Sequence, residues 1–379
     1  MNKIRVLHIL DELNTGGADQ IVYNYWKYID KEKFHFDFVV MKIPEKPQGR
    51  LESNVVELGG NVYKVTKKQD NFIQHIIDVD NIIKQGNYDI VHSHLYELSA
   101  IYLMIAKKYG VPIRIGHSHS AGETRGWKVD LFRKILKPFL FCVANGRAAC
   151  GFDAAYSLWG KKMGNKAYIM NNAIELDAFE FNEEYRKNVR NEYGVDDNTI
   201  VIGSIGRLSY EKNSEFLIDI FYEYKKFNNS SKLVLIGEGE KEKNVLDRIK
   251  KYNLQNEVIL LKRRNDVYKL INAFDFFVLP SRYEGIPLVL VEAQCNGVKC
   301  VISNTITNQI VLSKNVLKKS INEEARNWAK YIYGIIPCSN NERAEAISTV
   351  RNAGYDIKIE VKKLENYYLG LLNIYCDKK

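Results

Sequence analysis

Two glutamates, Glu284 and Glu292, stand at the ends of the apolar stretch EGIPLVLVE. The preceding residues DFFVLPSRY are typical of a buried strand that runs into a turn, and Pro287 suits a helix start because proline has no N–H to leave unpaired there. Glu284 is therefore expected in the turn and Glu292 inside the helix. Carboxylates accept hydrogen bonds from hydroxyl groups, and a helix start offers free backbone donors. The pair suits a polyhydroxyl ligand, although in isolation it also fits a helix cap and a surface residue.

A second loop, GSIGRLSYEKN, carries Arg207 and Lys212 on either side of a predicted turn. A guanidinium group binds phosphate through two parallel hydrogen bonds, and an ammonium group adds a compact positive charge. Together the two side chains could neutralise a diphosphate leaving group. Basic residues near a turn are also often only solvated, so this loop alone leaves both interpretations open.

A third loop, DELNTGGADQIV, places Gly16 and Gly17 before a predicted helix that opens near Ala18. Glycine lets the backbone approach a ligand closely, and the free N–H groups of a helix start favour an anion. The GxGxxG fingerprint of dinucleotide-binding proteins is absent. An anion site and a simple tight turn both fit these glycines.

All seven histidines precede residue 120, and four of them form two H-x-H pairs, His92 with His94 and His117 with His119. Side chains two apart on a strand face the same side, so each pair could chelate a metal ion. A metal-dependent hydrolase is therefore an alternative. Such an enzyme normally needs further ligands after other strands, and the second half of the chain has no histidine. We expect no metal in the site.

Between these loops, short apolar runs alternate along the sequence with longer segments of helical period, from IRVLHIL to RAACG. After the polar passage that follows residue 170, the alternation starts again with TIVIGSIG. This pattern predicts an α/β protein with two doubly wound domains, residues 1–170 and 171–357, followed by a helix within 358–379. Ligands of such sheets bind beyond the carboxyl ends of the strands, where the loops described above lie.

Composition narrows the class of protein. No apolar run reaches the roughly 18 residues of a membrane-spanning helix, and no cleavage-site pattern follows the start, so a cytoplasmic protein is expected. The six cysteines contain no CxxC pair, which argues against a disulfide framework and a zinc–cysteine site. The formal charge of +9 suits phosphate-bearing ligands and anionic membranes. Zinc-finger, RNP-type and arginine-rich motifs are absent, so nucleic acid is not an expected partner.

The segment 126–146, GWKVDLFRKILKPFLFCVANG, interleaves apolar and basic residues. A helix of this kind can lie in the interface of an anionic membrane, and it can also pack on its own domain. The sequence leaves the two possibilities open.

In their order and spacing, these motifs resemble those of a known family. Glu284 and Glu292 fit the E-x7-E pattern of retaining glycosyltransferases, and GRLSYEKN resembles the Arg/Lys phosphate loop of that family. TGGADQIV and LIGEGE resemble its glycine loops. The chain is similar along nearly its whole length to family 4 glycosyltransferases of the GT-B fold, in the branch that builds bacterial capsular polysaccharides and exopolysaccharides. The resemblance implies two Rossmann-like domains that face each other across a cleft, with the C-terminal helix packed back on the first.

The resemblance also implies a role for each residue. Arg207 and Lys212 would hold the diphosphate, Glu284 would bind the hydroxyls of the transferred sugar, and Glu292 would bind the ribose hydroxyls. The other expected contacts to the donor are Gly16, Gly17, Arg263, Gly285, Ile286, Leu288 and one of the pair His117 and His119. The His pair, Arg207, Lys212 and Glu284 form the expected catalytic set.

The expected activity is transfer of a sugar from a nucleotide sugar to a growing lipid-linked glycan, with retention of configuration. The expected donor is a UDP-sugar. Stabilising charge on the leaving diphosphate is then the main catalytic demand, which two cations meet without a cofactor or metal ion. A non-catalytic scaffold of polysaccharide assembly is a further alternative. The intact Arg207, Lys212, Glu284 and Glu292 argue against it. Peripheral contact with the inner face of the membrane stays open.

Overall fold

The computed structural model describes residues 3–14, 17–42, 50–119 and 127–377. The chain divides into two compact units, of which the first comprises Met1–Ala173 with Ile357–Lys379 and the second comprises Ile174–Asp356. The boundary expected from the sequence falls between residues 170 and 171, and the division in the structure falls between Ala173 and Ile174.

The first unit is built on a parallel sheet with the strand order β3-β2-β1-β4-β5-β6-β7. Its strands are β1 (Ile4–Ile9), β2 (Phe34–Met41), β3 (Asn61–Val65), β4 (Ile90–Ser93), β5 (Ile113–Ser118), β6 (Gly146–Ala149) and β7 (Tyr168–Ile169). The connecting helices are α1 (Gly17–Tyr28), α2 (Arg50–Glu57), α3 (Phe72–Gly86), α4 (Ser99–Lys108), α5 (Trp127–Val143) and α6 (Phe152–Gly164). The central strands read as continuous apolar runs because helices cover both faces of a parallel sheet.

The second unit repeats this plan with the strand order β10-β9-β8-β11-β12-β13, all parallel. Its strands are β8 (Ile200–Ile205), β9 (Ser231–Ile236), β10 (Val258–Leu261), β11 (Phe276–Leu279), β12 (Lys299–Ser303) and β13 (Val316–Lys319). Its helices are α7 (Leu176–Phe179), α8 (Glu183–Glu192), α9 (Ser214–Lys225), α10 (Glu242–Lys251), α11 (Val267–Leu270), α12 (Leu288–Cys295), α13 (Ala325–Tyr333), α14 (Asn340–Ala344) and α15 (Ala346–Asn352).

The C-terminal segment forms the helix α16 (Ile357–Cys376), which belongs to the first unit. Its inner face buries Val361, Leu364 and Tyr368, which agrees with the helical spacing of apolar residues in the sequence. The hydroxyl of Tyr367 also accepts a hydrogen bond from the backbone N–H of Arg147, at 3.0 Å, in β6. A helix that follows the second unit in sequence therefore completes the core of the first.

Each sheet contains a topological switch point, where the strand order reverses direction. It lies between β1 and β4 in the first unit and between β8 and β11 in the second. Ligands of doubly wound sheets bind at the carboxyl ends of the strands that flank such a point. Among the helices of the described residues, none is long and apolar enough to cross a membrane.

Candidate functional site

Two of the predicted site residues of the second unit meet at its switch point. Lys212 lies in the loop after β8 and Glu284 in the loop after β11, and the ammonium Nζ donates to Oε1 of Glu284 at 2.6 Å. The two side chains are only 22% and 10% exposed, so the pair is better shielded from water than an ordinary surface ion pair. Ser281 Oγ donates to the same oxygen at 2.7 Å. The sequence separates Lys212 from Glu284 by 72 positions, and the sheet brings them into contact.

The other predicted cation, Arg207, is exposed in the same loop as Lys212. The stem of Lys212 runs along Gly206, where an added Cβ would lie 3.5 Å from its Cδ. Both basic residues therefore belong to one short loop at the end of β8, with Lys212 held by Glu284 and Arg207 open to solvent. This arrangement places two cationic side chains at the carboxyl end of β8, where an anionic ligand is expected, with the charge of Lys212 balanced by Glu284.

The glycines of LIGEGE, in the loop after β9, let that loop pack closely against the loop that carries Arg207 and Lys212. A Cβ on Gly237, whose φ is +154°, would lie 1.9 Å from the carbonyl oxygen of Gly206, and a Cβ on Gly239 would lie 2.3 Å from that of Leu208. Both contacts are far inside van der Waals distance, so only glycine fits there. The loop after β9 thus lies directly against the loop that carries Arg207.

Asn213 and Arg282 tie the loop after β8 to the loop after β11. Asn213 adopts a left-handed conformation with φ 57° at the start of α9, and its Nδ2 donates to the carbonyl oxygen of Pro280 at 3.2 Å. Arg282 Nη2 donates to Oδ1 of Asn213 at 2.9 Å, and its backbone N–H donates to the carbonyl of Glu211 at 2.7 Å. These bonds fix the relative position of the two loops without help from a ligand.

Helix α12 begins one residue later than the sequence suggested, because Pro287 is its N-cap and Leu288 its first residue. The first N–H groups of a helix have no partner within the helix, so they point free donors toward the turn of Gly285 and Ile286. Ile286 and Leu288 are partly buried against the core, so their side chains face inward. What Leu288 can offer a ligand is its backbone N–H.

Glu292 lies in the same helix, about one turn after its first residue, and is partly buried. Burial raises its pKa to about 7, because a carboxylate loses hydration there. No hydrogen bond to its carboxyl group occurs within the residues that the structure describes. A partly accessible carboxyl group without a protein partner suits the recognition of hydroxyl groups.

The remaining predicted contact of this unit, Arg263, is exposed in the loop after β10, at the edge of the sheet. β9 and β8 separate this strand from β11, so Arg263 does not belong to the group formed by Lys212 and Glu284. Its placement fits a more distant part of an extended ligand.

In the first unit, Gly17 starts helix α1, one residue before the predicted Ala18. Gly16 lies outside the described residues. His117 is completely buried near the end of β5, whereas His119 just beyond the strand is partly exposed. Burial lowers the pKa of His119 to about 4, so its imidazole is neutral at physiological pH.

The structure also adds residues that the motifs did not single out. Ser281 holds Glu284, and the pair Asn213 and Arg282 fixes the two loops. Ser281 could have been suspected, because it stands at the end of a predicted strand three positions before Glu284. In the first unit, His8 joins the H-x-H residues through His94, with Nδ1 and Nε2 3.0 Å apart. No local pattern signals this contact, which spans 86 positions.

Comparison with known proteins places the chain in one family. Residues 15–149 match the family described as Glycosyltransferase Family 4, and residues 185–352 match the family described as Glycosyl transferases group 1. The two matches fall in the first and second unit respectively. Each unit is therefore recognised on its own.

Whole-length relatives agree with these matches. The chain is 30% identical to EpsF of Bacillus subtilis (strain 168), which is named as a putative glycosyltransferase, over 96% of both chains. It is 26% identical to the UDP-Gal:alpha-D-GlcNAc-diphosphoundecaprenol alpha-1,3-galactosyltransferase of Escherichia coli, over 98% of both chains. The crystal structure of HepE from Anabaena in complex with UDP-glucose shares the fold, with a TM-score of 0.78 at 16% identity over 96% of this chain and 98% of HepE. With two matching units and a relative similar along its length, the chain belongs to the family 4 glycosyltransferases, which have the GT-B fold.

Proposed function

We propose that the protein is a retaining, metal-independent transferase that takes a sugar from a UDP-sugar and adds it to a lipid-linked acceptor in the synthesis of a capsular polysaccharide or exopolysaccharide. The observation that carries the proposal is the contact between Lys212 and Glu284 at the switch point of the second unit. A cation for the diphosphate and a carboxylate for the sugar stand side by side there.

The chemistry of the bound donor follows from these side chains. Departure of a nucleoside diphosphate develops negative charge, which Arg207, Lys212 and the free N–H groups at the start of α12 can stabilise. Oε1 of Glu284 is held by Lys212 and Ser281, which leaves Oε2 to accept hydrogen bonds from the transferred sugar. Glu292 would accept hydrogen bonds from the ribose.

The names of similar proteins support the donor and acceptor classes. HepE was solved with UDP-glucose, and the Escherichia coli relative is named for transfer from UDP-Gal to a sugar on diphosphoundecaprenol. A capsular polysaccharide biosynthesis glycosyltransferase of Staphylococcus aureus, CapH, is 23% identical over 97% of this chain. A hydrolase built on the H-x-H pairs is not favoured, because the Escherichia coli and Staphylococcus aureus relatives are both named as glycosyltransferases.

Of the two histidines expected near the donor sugar, we propose His119 as the one that contacts it. His117 has no exposed surface and its Nδ1 lies 3.0 Å from Nε2 of His92, so a sugar cannot reach it without rearrangement. His119 is partly exposed beyond the end of β5.

The experiment that tests this function is transfer from a panel of nucleotide sugars to an undecaprenyl-diphosphate sugar, followed by nucleotide release and by NMR of the product. We expect turnover with a UDP-sugar, a product with the anomeric configuration of the donor, and the same rate with or without Mg²⁺, Mn²⁺ and EDTA. An inverted product would contradict the mechanism. Activity lost in EDTA and restored by Mg²⁺ would show that a cation, rather than Arg207 and Lys212, neutralises the diphosphate.

Helix α5 supports a peripheral contact with the membrane, which a lipid-linked acceptor requires. Its inner face is buried at Leu136 and Leu140, while Trp127, Leu131 and Ile135 form an exposed apolar stripe at i, i+4 and i+8. Trp127 is 73% exposed, and Lys134 is exposed on the same helix. We propose that this stripe enters the interface of an anionic bilayer.

The change Leu131→Glu with Ile135→Glu should weaken binding to vesicles that contain phosphatidylglycerol by about tenfold or more, because two apolar side chains become charged. Vesicle co-sedimentation measures the effect. The matched control is Ile336→Glu, an 84% exposed apolar residue of the second unit, which should bind vesicles as the unmodified protein does. Equal vesicle binding by the double variant and the control would exclude this face.

A further inference from the structure

Five histidines of the first unit form one cluster at the carboxyl ends of β1, β4 and β5. They are His8, His92, His94, His117 and His119, and the centroids of neighbouring rings are 4.1 to 5.3 Å apart. All but His119 are buried. So many imidazoles in one interior are costly unless each ring nitrogen finds a partner.

The ring nitrogens are only partly satisfied. His94 lies at the centre, with Nε2 3.0 Å from Nδ1 of His8 and Nδ1 2.8 Å from Nε2 of His119. His117 uses Nδ1 for His92, at 3.0 Å. Its Nε2 is buried without a hydrogen-bond partner among the described residues, as is Nδ1 of His119. An unpaired buried nitrogen is unfavourable, so an ion that binds the lone pair of His117 Nε2 would stabilise the cluster.

We propose that His94, His117 and His119 bind a transition-metal ion, of which Zn²⁺ is the best fit. One nitrogen from each of the three rings lies within 4.8 Å of the others. Neutral imidazole is a ligand for Zn²⁺, Co²⁺, Ni²⁺ and Cu²⁺, whereas Mg²⁺ and Ca²⁺ prefer oxygen. Three histidines also leave one tetrahedral position for water or another ligand.

A second group, His8 with His92 and His94, has nitrogens equally close together. Both nitrogens of His92 already have partners, namely His117 and the hydroxyl of Tyr368 at 2.8 Å. The whole group is buried, so an ion has no direct route to it. The group that includes His119 has a partly exposed member and therefore a route from solvent.

His8 and His92, which lie outside the chosen group, are placed to accept hydrogen bonds from the metal-binding rings and so to orient them. If His94 binds through Nδ1, its Nε2–H donates to Nδ1 of His8, and if His117 binds through Nε2, its Nδ1–H donates to Nε2 of His92. His92 can then donate from Nδ1 to the oxygen of Tyr368. Such outer partners fix the ring plane and tautomer of a metal-ligating histidine. Zn–N bonds of about 2.0 Å place neighbouring nitrogens about 3.3 Å apart, so the contact between His94 and His119 would lengthen by about half an ångström.

The proposal goes beyond sugar transfer, because the ion would join the ends of β4 and β5 rather than neutralise the donor. It takes only Nε2 of His119, so the remaining surface of this partly exposed residue stays available to the donor sugar. The proposal can be tested with untagged protein that has been stripped of metal with EDTA and then freed of chelator. Titration with Zn²⁺ should give about one ion per chain with micromolar or tighter affinity, and Zn²⁺ but not Mg²⁺ should raise Tm. Failure of the protein to bind Zn²⁺ would overturn the proposal.

Variants assign the ligands. The changes His117→Asn and His119→Asn should abolish stoichiometric binding, and His8→Asn should weaken it by about tenfold to a hundredfold, as loss of an outer partner does. The matched control is His35→Gln, a partly exposed histidine of the same unit that contacts Asp37 and lies outside the cluster. Zinc retained by His119→Asn but lost by His8→Asn would contradict the chosen group.

Because a variant in a buried cluster can misfold, the unmodified protein provides an independent measurement. Bound Co²⁺ should show the intense visible absorption of a four- or five-coordinate ion with nitrogen ligands. The weak absorption of six-coordinate Co²⁺ would speak against a three-histidine site, whatever the variants do.

Discussion

The double change Arg207→Ala with Lys212→Ala should lower turnover by about a hundredfold or more while the protein stays folded. Both cations belong to one loop at the switch point, and preorganised groups that stabilise developing charge usually contribute more to catalysis than any other single effect. Since the charge appears as the diphosphate departs, kcat should fall more than KM rises. Steady-state nucleotide release with the preferred donor measures both constants.

The protein should stay folded, because Arg207 is exposed and, without Lys212, Glu284 keeps its hydrogen bond from Ser281. A matched control is Lys226→Ala, which removes another lysine of the second unit that pairs with a glutamate, Glu223, at 2.5 Å. Exposed pairs of that kind contribute at most about 1 kcal/mol, and turnover should stay normal in the control. Near-normal turnover in the double variant would place the diphosphate in another loop.

The second large effect concerns Glu292 and nucleotide binding. Its replacement by alanine should weaken binding of UDP and UDP-glucose by about tenfold to a hundredfold, since hydrogen bonds to a charged acceptor contribute roughly 1.5–3 kcal/mol. Glu292→Gln keeps the shape of the side chain and should weaken binding as well, because an amide lacks the charge. Isothermal titration calorimetry measures both variants. Unchanged affinity in both would remove Glu292 from the site.

The pKa of about 7 makes this binding depend on pH. Only the ionised carboxylate has acceptors on both oxygens, and the ionised fraction rises from about a tenth at pH 6 to about nine-tenths at pH 8, so affinity for UDP-glucose should increase about tenfold over that interval. The pyrophosphate of UDP-glucose does not titrate in this range. The dependence should be absent in Glu292→Gln, and its persistence there would assign it to another group.

The free energy of unfolding should fall as the pH rises, whereas the affinity for UDP-glucose should increase. The folded pKa of Glu292 lies above the value near 4.3 of an unfolded chain, so the folded state binds more protons between these values and its stability falls as the pH rises through that window. Glu292→Gln should therefore increase the free energy of unfolding relative to the unmodified protein at pH 8, and the difference should shrink toward pH 5. Urea titrations at the two pH values measure it, and a difference that does not change with pH would show that Glu292 keeps its ordinary pKa.

Much of the architecture could be predicted because it depends on local patterns. Alternation of apolar runs with helical segments predicted two parallel-sheet units, and the spacing of apolar residues in 358–379 predicted α16. Strand and helix periods are properties of a few neighbouring residues, so they can be recognised without knowledge of the fold. The family resemblance likewise rests on short loops, and the sequence and fold comparisons confirm it.

Contacts between distant residues could not be predicted in this way. Lys212 meets Glu284 because β11 lies beside β8, and His8 meets His94 because β4 lies beside β1. The Arg/Lys loop and the E-x7-E motif identified Lys212 and Glu284 separately. No local pattern gives the order of the strands in the sheet, which decides that the two residues meet.

The burial of individual titratable side chains could not be predicted from residue types either. Glu292 and His117 are ordinary titratable residues in the sequence, yet the packing around them raises the pKa of the carboxyl group and lowers that of the imidazole. Tyr368 reaches His92 across 276 positions, because a helix at the end of the chain packs in the core of the first unit. The chemical identity of each group is local, whereas its solvation and its partners depend on atoms brought together only when strands that are far apart in sequence become neighbours in the sheet.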